Sequence, residues 1–138
     1  MAQAHVIWVE HEQFVAIDES NHSVVVSTQD EGNAVGMKPA DLLLVALAGC
    51  TAVDVVRILK KGRQKLTGLK IEVTGEQEPE PPWVFKAIHL KYRLTGSLSS
   101  EAVERAIDLS EKKYCSVSAS LRPQVEITTS YEILQGEE

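Results

Sequence analysis

The sequence has little sulfur and no ready-made cofactor motif. Its 138 residues include only two cysteines, with no Cys-x-x-Cys pair, which excludes a disulfide scaffold and a cysteine-based structural zinc site. The four histidines show no ligand-like spacing. There is also no phosphate-binding glycine loop, no dinucleotide fingerprint and no Gly-x-Ser-x-Gly motif. We therefore predict a protein without a metal and without a cofactor.

Positive charge and long uninterrupted apolar runs are scarce as well. Fourteen basic against 20 acidic residues give a net charge of −6, which argues against a nucleic-acid partner because phosphate binding needs a clustered positive field. No apolar run reaches the ~20 residues of a membrane helix, and the first residues lack the regions of a signal peptide. We expect a cytoplasmic protein with no membrane contact, in which both thiols are reduced.

What is present predicts one domain, residues 1–138, because domains of ~100–150 residues are the most common. Strand-forming runs and turn signals alternate at the start of the chain, and helical periodicity appears twice later. The strands and helices do not alternate strictly, which favours the α+β class in the order β-β-β-α-β-β-α-β. The predicted elements are N-terminal strands in 4–27, a central helix at 39–61, a strand pair in 69–95, a second helix at 100–114, and a Cys115 segment followed by a closing strand at 124–134.

The central helix is apolar on nearly every side. Pro39 suits its first turn, and Asp41 places a carboxylate near the positive end of the helix dipole. A helix that is apolar all round must be buried all round. One small domain cannot cover it completely, so we expect a second copy of the chain to cover the rest, as in a homodimer.

The two cysteines have different local settings. Cys50 lies within the apolar helix, where a small buried hydrophobe is as ordinary as a reactive thiol. Cys115 follows the second predicted helix. Whether it is acidified depends on whether residues 116–121 start another helical turn, since a thiol is acidified at a helix N-terminus and not at a C-terminus. Sequence spacing does not tell whether the two thiols meet.

Two segments together resemble the OsmC/Ohr family of osmotically inducible and organic hydroperoxide resistance proteins. Residues 36–51 have a Gly-x-x-Pro start that leads into an apolar helix carrying a cysteine, and residues 52–59 continue the likeness. Residues 114–118, Tyr-Cys-Ser-Val-Ser, are similar to the family's second cysteine motif. The order of strands and helices agrees with the family over nearly the whole chain.

This resemblance implies an OsmC-like fold, with an intertwined homodimer whose central apolar helices form its core. It also implies an enzyme, a thiol-dependent peroxidase acting on organic hydroperoxides or hydrogen peroxide. Cys50 would become a sulfenic acid and Cys115 would resolve it as a disulfide. An external thiol reductant of the dithiol type would then restore both thiols.

One part of the family pattern is missing. The family's peroxidases stabilise the thiolate with an arginine from the N-terminal strands, held by a glutamate ten residues before the cysteine. Here no arginine precedes Arg57, and the tenth residue before Cys50 is Ala40. Asp41 and Arg57 are therefore the candidates for electrostatic support. Asp54, one turn after Cys50, would raise the pKa of that thiol unless the carboxylate is itself paired.

The missing arginine keeps a second hypothesis open. The chain could be a non-catalytic or weakly redox-active OsmC-like module that binds a small apolar or thiol ligand in the dimer cleft. In that case the two cysteines would be retained without a catalytic role.

Overall fold

The computed structural model describes residues 1–135, so positions 136–138 of the predicted domain lie outside the described residues. The chain divides into two compact units, residues 1–43 and 44–138. Its elements follow the order β-β-β-α-β-β-α-α-β, with a short π-helical turn between the last two helices. The α+β prediction is confirmed, with one helix more than expected.

The first unit is an antiparallel meander of three strands, formed by Ala4–Glu10 (β1), Gln13–Asp18 (β2) and Ser23–Ser27 (β3) and paired in that order. The second turn is closed by Asp18, whose carboxylate accepts hydrogen bonds of 2.9 Å from the backbone N–H groups of Ser20 and His22. Aspartate is common in turns because its carboxylate can accept hydrogen bonds from the turn's own backbone, so polar segments that contain it between two strands predict hairpins.

The apolar run forms one helix, Pro39–Lys61 (α1), with the predicted bounds 39–61. Its buried face is a row of four side chains spaced by four residues, Leu47, Thr51, Val55 and Leu59. Residues four apart lie above one another on a helix, so this row faces the core of the second unit. Val45 and Val53, on other sides of α1, are about half exposed, at 48% and 50%.

We expected no segment long and apolar enough to cross a membrane, and this expectation is wrong. By its length of 23 residues and its mean hydropathy of 2.2 in the most apolar window, α1 could cross one. The sequence pattern misled because Gly49, Thr51 and Asp54 interrupt the apolar run without breaking the helix. Such a helix is weak evidence for a membrane span, since the core helix of a folded domain has the same composition. α1 packs its buried row against the chain's own core, as a core helix does.

A three-stranded sheet carries the core of the second unit. It consists of Lys65–Gln77 (β4), Phe85–Ser97 (β5) and Glu126–Leu134 (β6), with β5 in the middle. β4 pairs antiparallel with β5, as expected for the strand pair, and β6 pairs parallel with β5. Alternate residues of β5 form the centre of the core, where Ile88, Leu90, Tyr92 and Leu94 are at most 1% exposed.

These strands extend beyond the predicted range 69–95. Lys65 pairs with Ser97 and continues the ladder across a bulge between Leu66 and Gly68. The apolar alternation stops before the strand does, because backbone pairing does not require apolar side chains. At the other end, β6 begins at Glu126 rather than at 124, because the backbone N–H of Val125 still bonds the carbonyl of Leu121, at 3.1 Å.

The predicted second helix, 100–114, is two segments in continuous succession. Ser100–Leu109 (α2) is capped by Ser99, whose hydroxyl accepts a hydrogen bond from the N–H of Ala102. Ser110–Tyr114 follows as a π-helical turn. After Cys115 a new short helix, Ser116–Leu121 (α3), begins. The question that the sequence left open at 116–121 is therefore answered by a helix.

Candidate functional site

Two thiols and one carboxylate meet inside the second unit. Cys50 lies in the middle of α1, and Asp54 lies one turn after it on the same helix. Cys115 is the extended residue between the π-helical turn and α3. The two Sγ atoms and a carboxylate oxygen of Asp54 all lie within 4.8 Å of one another. The fold thus brings together the two cysteines that were predicted as site residues.

The π-helical turn determines where Cys115 lies. The backbone N–H of Cys115 donates to the carbonyl of Ser110, five residues earlier, at 2.8 Å, and this hydrogen bond ends the turn. Cys115 then leaves the helical conformation, at φ −78° and ψ 105°, and becomes the N-cap of α3. Its Sγ accepts a hydrogen bond of 3.3 Å from the N–H of Ser118, and the residue is 3% exposed. Cys115 is therefore a buried thiol whose backbone is fixed by Ser110 and whose sulfur is fixed by Ser118.

Cys50 is half-buried and has several hydrogen-bond donors around its sulfur. Burial alone would raise the pKa of the Cys50 thiol. Hydrogen-bonding interactions with the backbone N–H of Val117, the Cys115 thiol, and the hydroxyl and N–H of Ser116 outweigh it and lower that pKa below the ordinary cysteine value. The Ser116 hydroxyl lies 4.0 Å from the sulfur. These donors thus favour the thiolate form of Cys50.

Cys115 is shifted in the opposite direction. Burial raises the pKa of the Cys115 thiol to about 12, against the opposing hydrogen bond from Ser118. The neighbouring Cys50 and the negative charge of Glu111 raise it further. At neutral pH the pair therefore consists of a Cys50 sulfur that accepts and a Cys115 S–H that donates. Such a difference between two neighbouring thiols assigns them different chemical roles.

Asp41 and Arg57, the two candidates for electrostatic support, are not among the main influences on the Cys50 pKa. Asp41 is an exposed residue in the first turn of α1, nine residues before Cys50. Arg57 is also exposed and lines a pocket of about 650 Å³ together with Asp54, Arg105 and other residues of α1 and α2. The groups that lower the Cys50 pKa are instead donors at the start of α3. Sequence reasoning missed them because a backbone N–H leaves no signature in the residue types.

Asp54 ends a chain of three buried hydroxyl groups. Its Oδ2 lies 2.9 Å from Ser110 Oγ, which lies 2.8 Å from Thr51 Oγ1, which lies 2.7 Å from the Tyr92 hydroxyl. The Ser110 hydroxyl is placed to donate to Asp54 Oδ2 or to Thr51 Oγ1, and either of the Thr51 and Tyr92 hydroxyls can donate to the other. All three hydroxyl residues are fully buried. The carboxylate is thereby fixed beside the thiols.

A second carboxylate connects the π-helical turn to α3. Glu111 Oε2 accepts hydrogen bonds of 2.9 Å from Arg122 Nη2 and from Ser118 Oγ. Arg122 Nη2 also bonds the carbonyl of Ile127, at 3.2 Å. The Glu111 side chain is only 8% exposed, and its charge is neutralised by this arginine. The ion pair holds the segment that carries Cys115, and the sequence gave no signal for it beyond the residue types.

Cys50, Asp54 and Cys115 are also donor types that metals bind. They supply three of the four protein ligands that structural zinc sites use. Within residues 1–135, no further cysteine, histidine or acidic side chain joins them at that spacing. Among the described residues the group is therefore one ligand short of a structural zinc site.

Comparisons with known proteins agree with the sequence resemblance. Residues 29–130 match the OsmC-like protein family. Over 133 residues the chain is 41% identical to Protein YhfA of Escherichia coli (strain K12), covering 96% of this chain and 98% of YhfA. A hypothetical protein from Aquifex aeolicus VF5 superimposes with a TM-score of 0.89 at 29% identity, over 99% of this chain and 98% of that chain. An organic hydroperoxide resistance protein OsmC from Legionella pneumophila shares the fold, with a TM-score of 0.71 at 15% identity over 96% of each chain.

Proposed function

Because the chain belongs to the OsmC-like protein family, we propose that it is a two-cysteine peroxidase that reduces organic hydroperoxides or hydrogen peroxide. One observation carries the proposal. Two thiols lie within 4.8 Å of each other, the half-exposed one with a lowered pKa and the buried one with a raised pKa. A reactive thiolate beside a protonated partner is the arrangement that a peroxidatic and a resolving cysteine need.

In the first step the Cys50 thiolate attacks the terminal oxygen of the hydroperoxide. An S–O bond forms, the O–O bond breaks, and the alkoxide leaves as an alcohol after taking a proton. Cys50 becomes a sulfenic acid, oxidised by two electrons, and the hydroperoxide is reduced by two. The donors at the start of α3 support this step because they stabilise the attacking thiolate.

In the second step the Cys115 sulfur attacks the sulfur of the Cys50 sulfenic acid. An S–S bond forms, the S–O bond breaks, and the departing hydroxide combines with the Cys115 proton to give water. The product is a disulfide between the two residues. An external dithiol then reduces this disulfide by thiol–disulfide exchange and restores the starting pair.

The remaining parts of the proposal concern assembly and location. A homodimer with α1 at its core is supported by the half-exposed Val45 and Val53 of an otherwise apolar helix. A cytoplasmic location fits this chemistry, since a compartment that keeps thiols reduced keeps such a pair ready to react. The Legionella relative is described as an organic hydroperoxide resistance protein, which supports the substrate class.

A stoichiometric titration tests the proposal. Reduced protein is mixed with one equivalent of cumene hydroperoxide, and free thiols and cumyl alcohol are measured over time. We expect two thiols to disappear for each alcohol formed, because each turnover oxidises one cysteine pair. Addition of a dithiol should restore both thiols. Thiols that are unchanged after minutes would contradict the peroxidase and would favour the ligand-binding module in its place.

A further inference from the structure

The disulfide-forming step needs a group that removes a proton from a buried thiol. Cys115 is 3% exposed, so bulk water has little access to it. Burial raises the pKa of this thiol to about 12, so its neutral form dominates near pH 7. A neutral thiol is a poor nucleophile. The arrangement around Cys115 should therefore contain a base.

Asp54 has the position that such a base requires. A carboxylate oxygen of Asp54 lies within 4.8 Å of the Cys115 sulfur and of the Cys50 sulfur. A general base acts directly or through one water, and catalytic hydrogen bonds are often longer before the reacting species forms. The carboxylate is also aimed, because Ser110 holds its Oδ2 at 2.9 Å. Thr51 and Tyr92 hold Ser110 in turn.

We propose that Asp54 is the general base of the disulfide-forming step, which rests on the two-cysteine chemistry proposed above. As the Cys115 sulfur attacks the oxidised sulfur of Cys50, the Asp54 carboxylate takes the Cys115 proton. It then gives this proton to the hydroxide that leaves Cys50, and water is formed. Ser110, Thr51 and Tyr92 are positioning residues that hold the carboxylate beside the two sulfur atoms.

The other ionisable groups around Cys115 are less suited to this role. Glu111 also influences the Cys115 thiol electrostatically. Its Oε2 accepts two hydrogen bonds, from Arg122 and Ser118, and its buried Oε1 accepts none, but neither oxygen joins the group in which the two sulfur atoms and Asp54 lie within 4.8 Å of one another. Cys50 itself is the group under attack. Glu111→Gln is therefore the matched control for Asp54→Asn.

The proposal can be tested without any peroxide. An aromatic disulfide reagent, dithiobis(nitrobenzoate), reacts first with the accessible thiol of Cys50 and releases one coloured thionitrobenzoate. Cys115 then attacks the mixed disulfide at Cys50, a new S–S bond forms, and a second thionitrobenzoate leaves while a base takes the proton. The rate of the second release measures the attack by Cys115 alone. Cys115→Ser should give no second release.

We expect Asp54→Asn to slow the second release about 10²-fold, the usual contribution of a general base. The wild-type rate should depend only weakly on pH between about 6 and 8, because a carboxylate rather than hydroxide takes the Cys115 proton. The rate in Asp54→Asn should rise about tenfold per pH unit, because hydroxide must then remove the proton. Added formate should partly restore the rate of Asp54→Asn, and Glu111→Gln should keep the flat profile.

Two results would overturn the assignment. One is a second release in Asp54→Asn at the wild-type rate, and the other is a slower release with an unchanged pH profile, which indicates a structural role only. If Asp54→Asn does not fold, Ser110→Ala takes its place and should slow the second release but not the first. Equal slowing of both would count against the proposal. Because this assay uses no peroxide, the two proposals can fail separately. A chain that does not react with hydroperoxides would disprove the proposed function, but it would not change the rate of the second release.

Discussion

A Cys50→Ser protein is expected to lose its reaction with hydroperoxides completely, whereas a Cys115→Ser protein keeps the first step and stops there. The reason is the opposite shift of the two thiol pKa values, lowered for Cys50 and raised to about 12 for Cys115. Only a thiolate attacks the peroxide oxygen, and at neutral pH only Cys50 forms one readily. Without Cys50, Cys115 should therefore not react with the hydroperoxide.

Trapping of the sulfenic acid separates the two variants. In Cys115→Ser, one equivalent of cumene hydroperoxide should consume one thiol and leave a sulfenic acid that forms an adduct with dimedone. In Cys50→Ser, the single remaining thiol should stay free and no adduct should form. Oxidation of Cys115 in the absence of Cys50, at a rate near that of the wild type, would reverse the assignment of the two roles.

A Ser116→Pro protein is expected to react about tenfold more slowly at neutral pH. The change removes two groups that lower the Cys50 pKa, the Ser116 hydroxyl and the Ser116 N–H. A hydrogen bond to a charged group contributes ~1.5 kcal/mol or more, which corresponds to about tenfold in the thiolate population. Proline fits here because Ser116 is the first residue of α3 and Cys115 before it is already extended.

The pH dependence of alkylation by iodoacetamide measures this effect. A lowered pKa keeps Cys50 ionised to lower pH, so removing the donors should move the onset of alkylation to higher pH. Ser116→Ala, which loses only the hydroxyl at 4.0 Å, should move it less. Identical profiles for wild type, Ser116→Ala and Ser116→Pro would mean that other groups activate Cys50.

The central helix and the strand order could be predicted from local patterns. The apolar row of α1 repeats every fourth residue, and Pro39 marks its start, so its bounds 39–61 needed no tertiary information. β5 shows a comparable local pattern, because alternate residues from Ile88 to Leu94 form its buried face. The parallel pairing of β6 with β5 was not predictable, because Glu126–Leu134 shows alternation but nothing that selects a neighbouring strand.

The candidate site also has a part that the sequence predicted and a part that only the fold shows. Cys50 and Cys115 were predicted as a pair by resemblance to a family, whereas their separation in the chain does not show that their sulfur atoms lie within 4.8 Å of each other. The groups that lower the Cys50 pKa include the backbone N–H groups of Val117 and Ser116. These depend on a π-helical turn that places α3 over α1, and a one-residue change in helical repeat has no reliable signature in residue types.

The role of Asp54 shows why a charge cannot be interpreted from its neighbours in sequence alone. As an acidic residue one turn from Cys50, it was expected to oppose thiolate formation unless paired. The partner is Ser110, from a different segment, at 2.9 Å. Only the fold supplies this contact, and it converts an unfavourable neighbour into a carboxylate with a fixed direction.

The central claim is that Cys50 and Cys115 form a disulfide when the protein reduces a hydroperoxide. Peptide mass spectrometry of the wild-type protein after one equivalent of cumene hydroperoxide, without a reductant, tests it most directly. The account predicts a peptide pair linked through Cys50 and Cys115 with the loss of two hydrogen atoms. An unmodified chain, or oxygen added to Cys50 while Cys115 remains a free thiol, would contradict it.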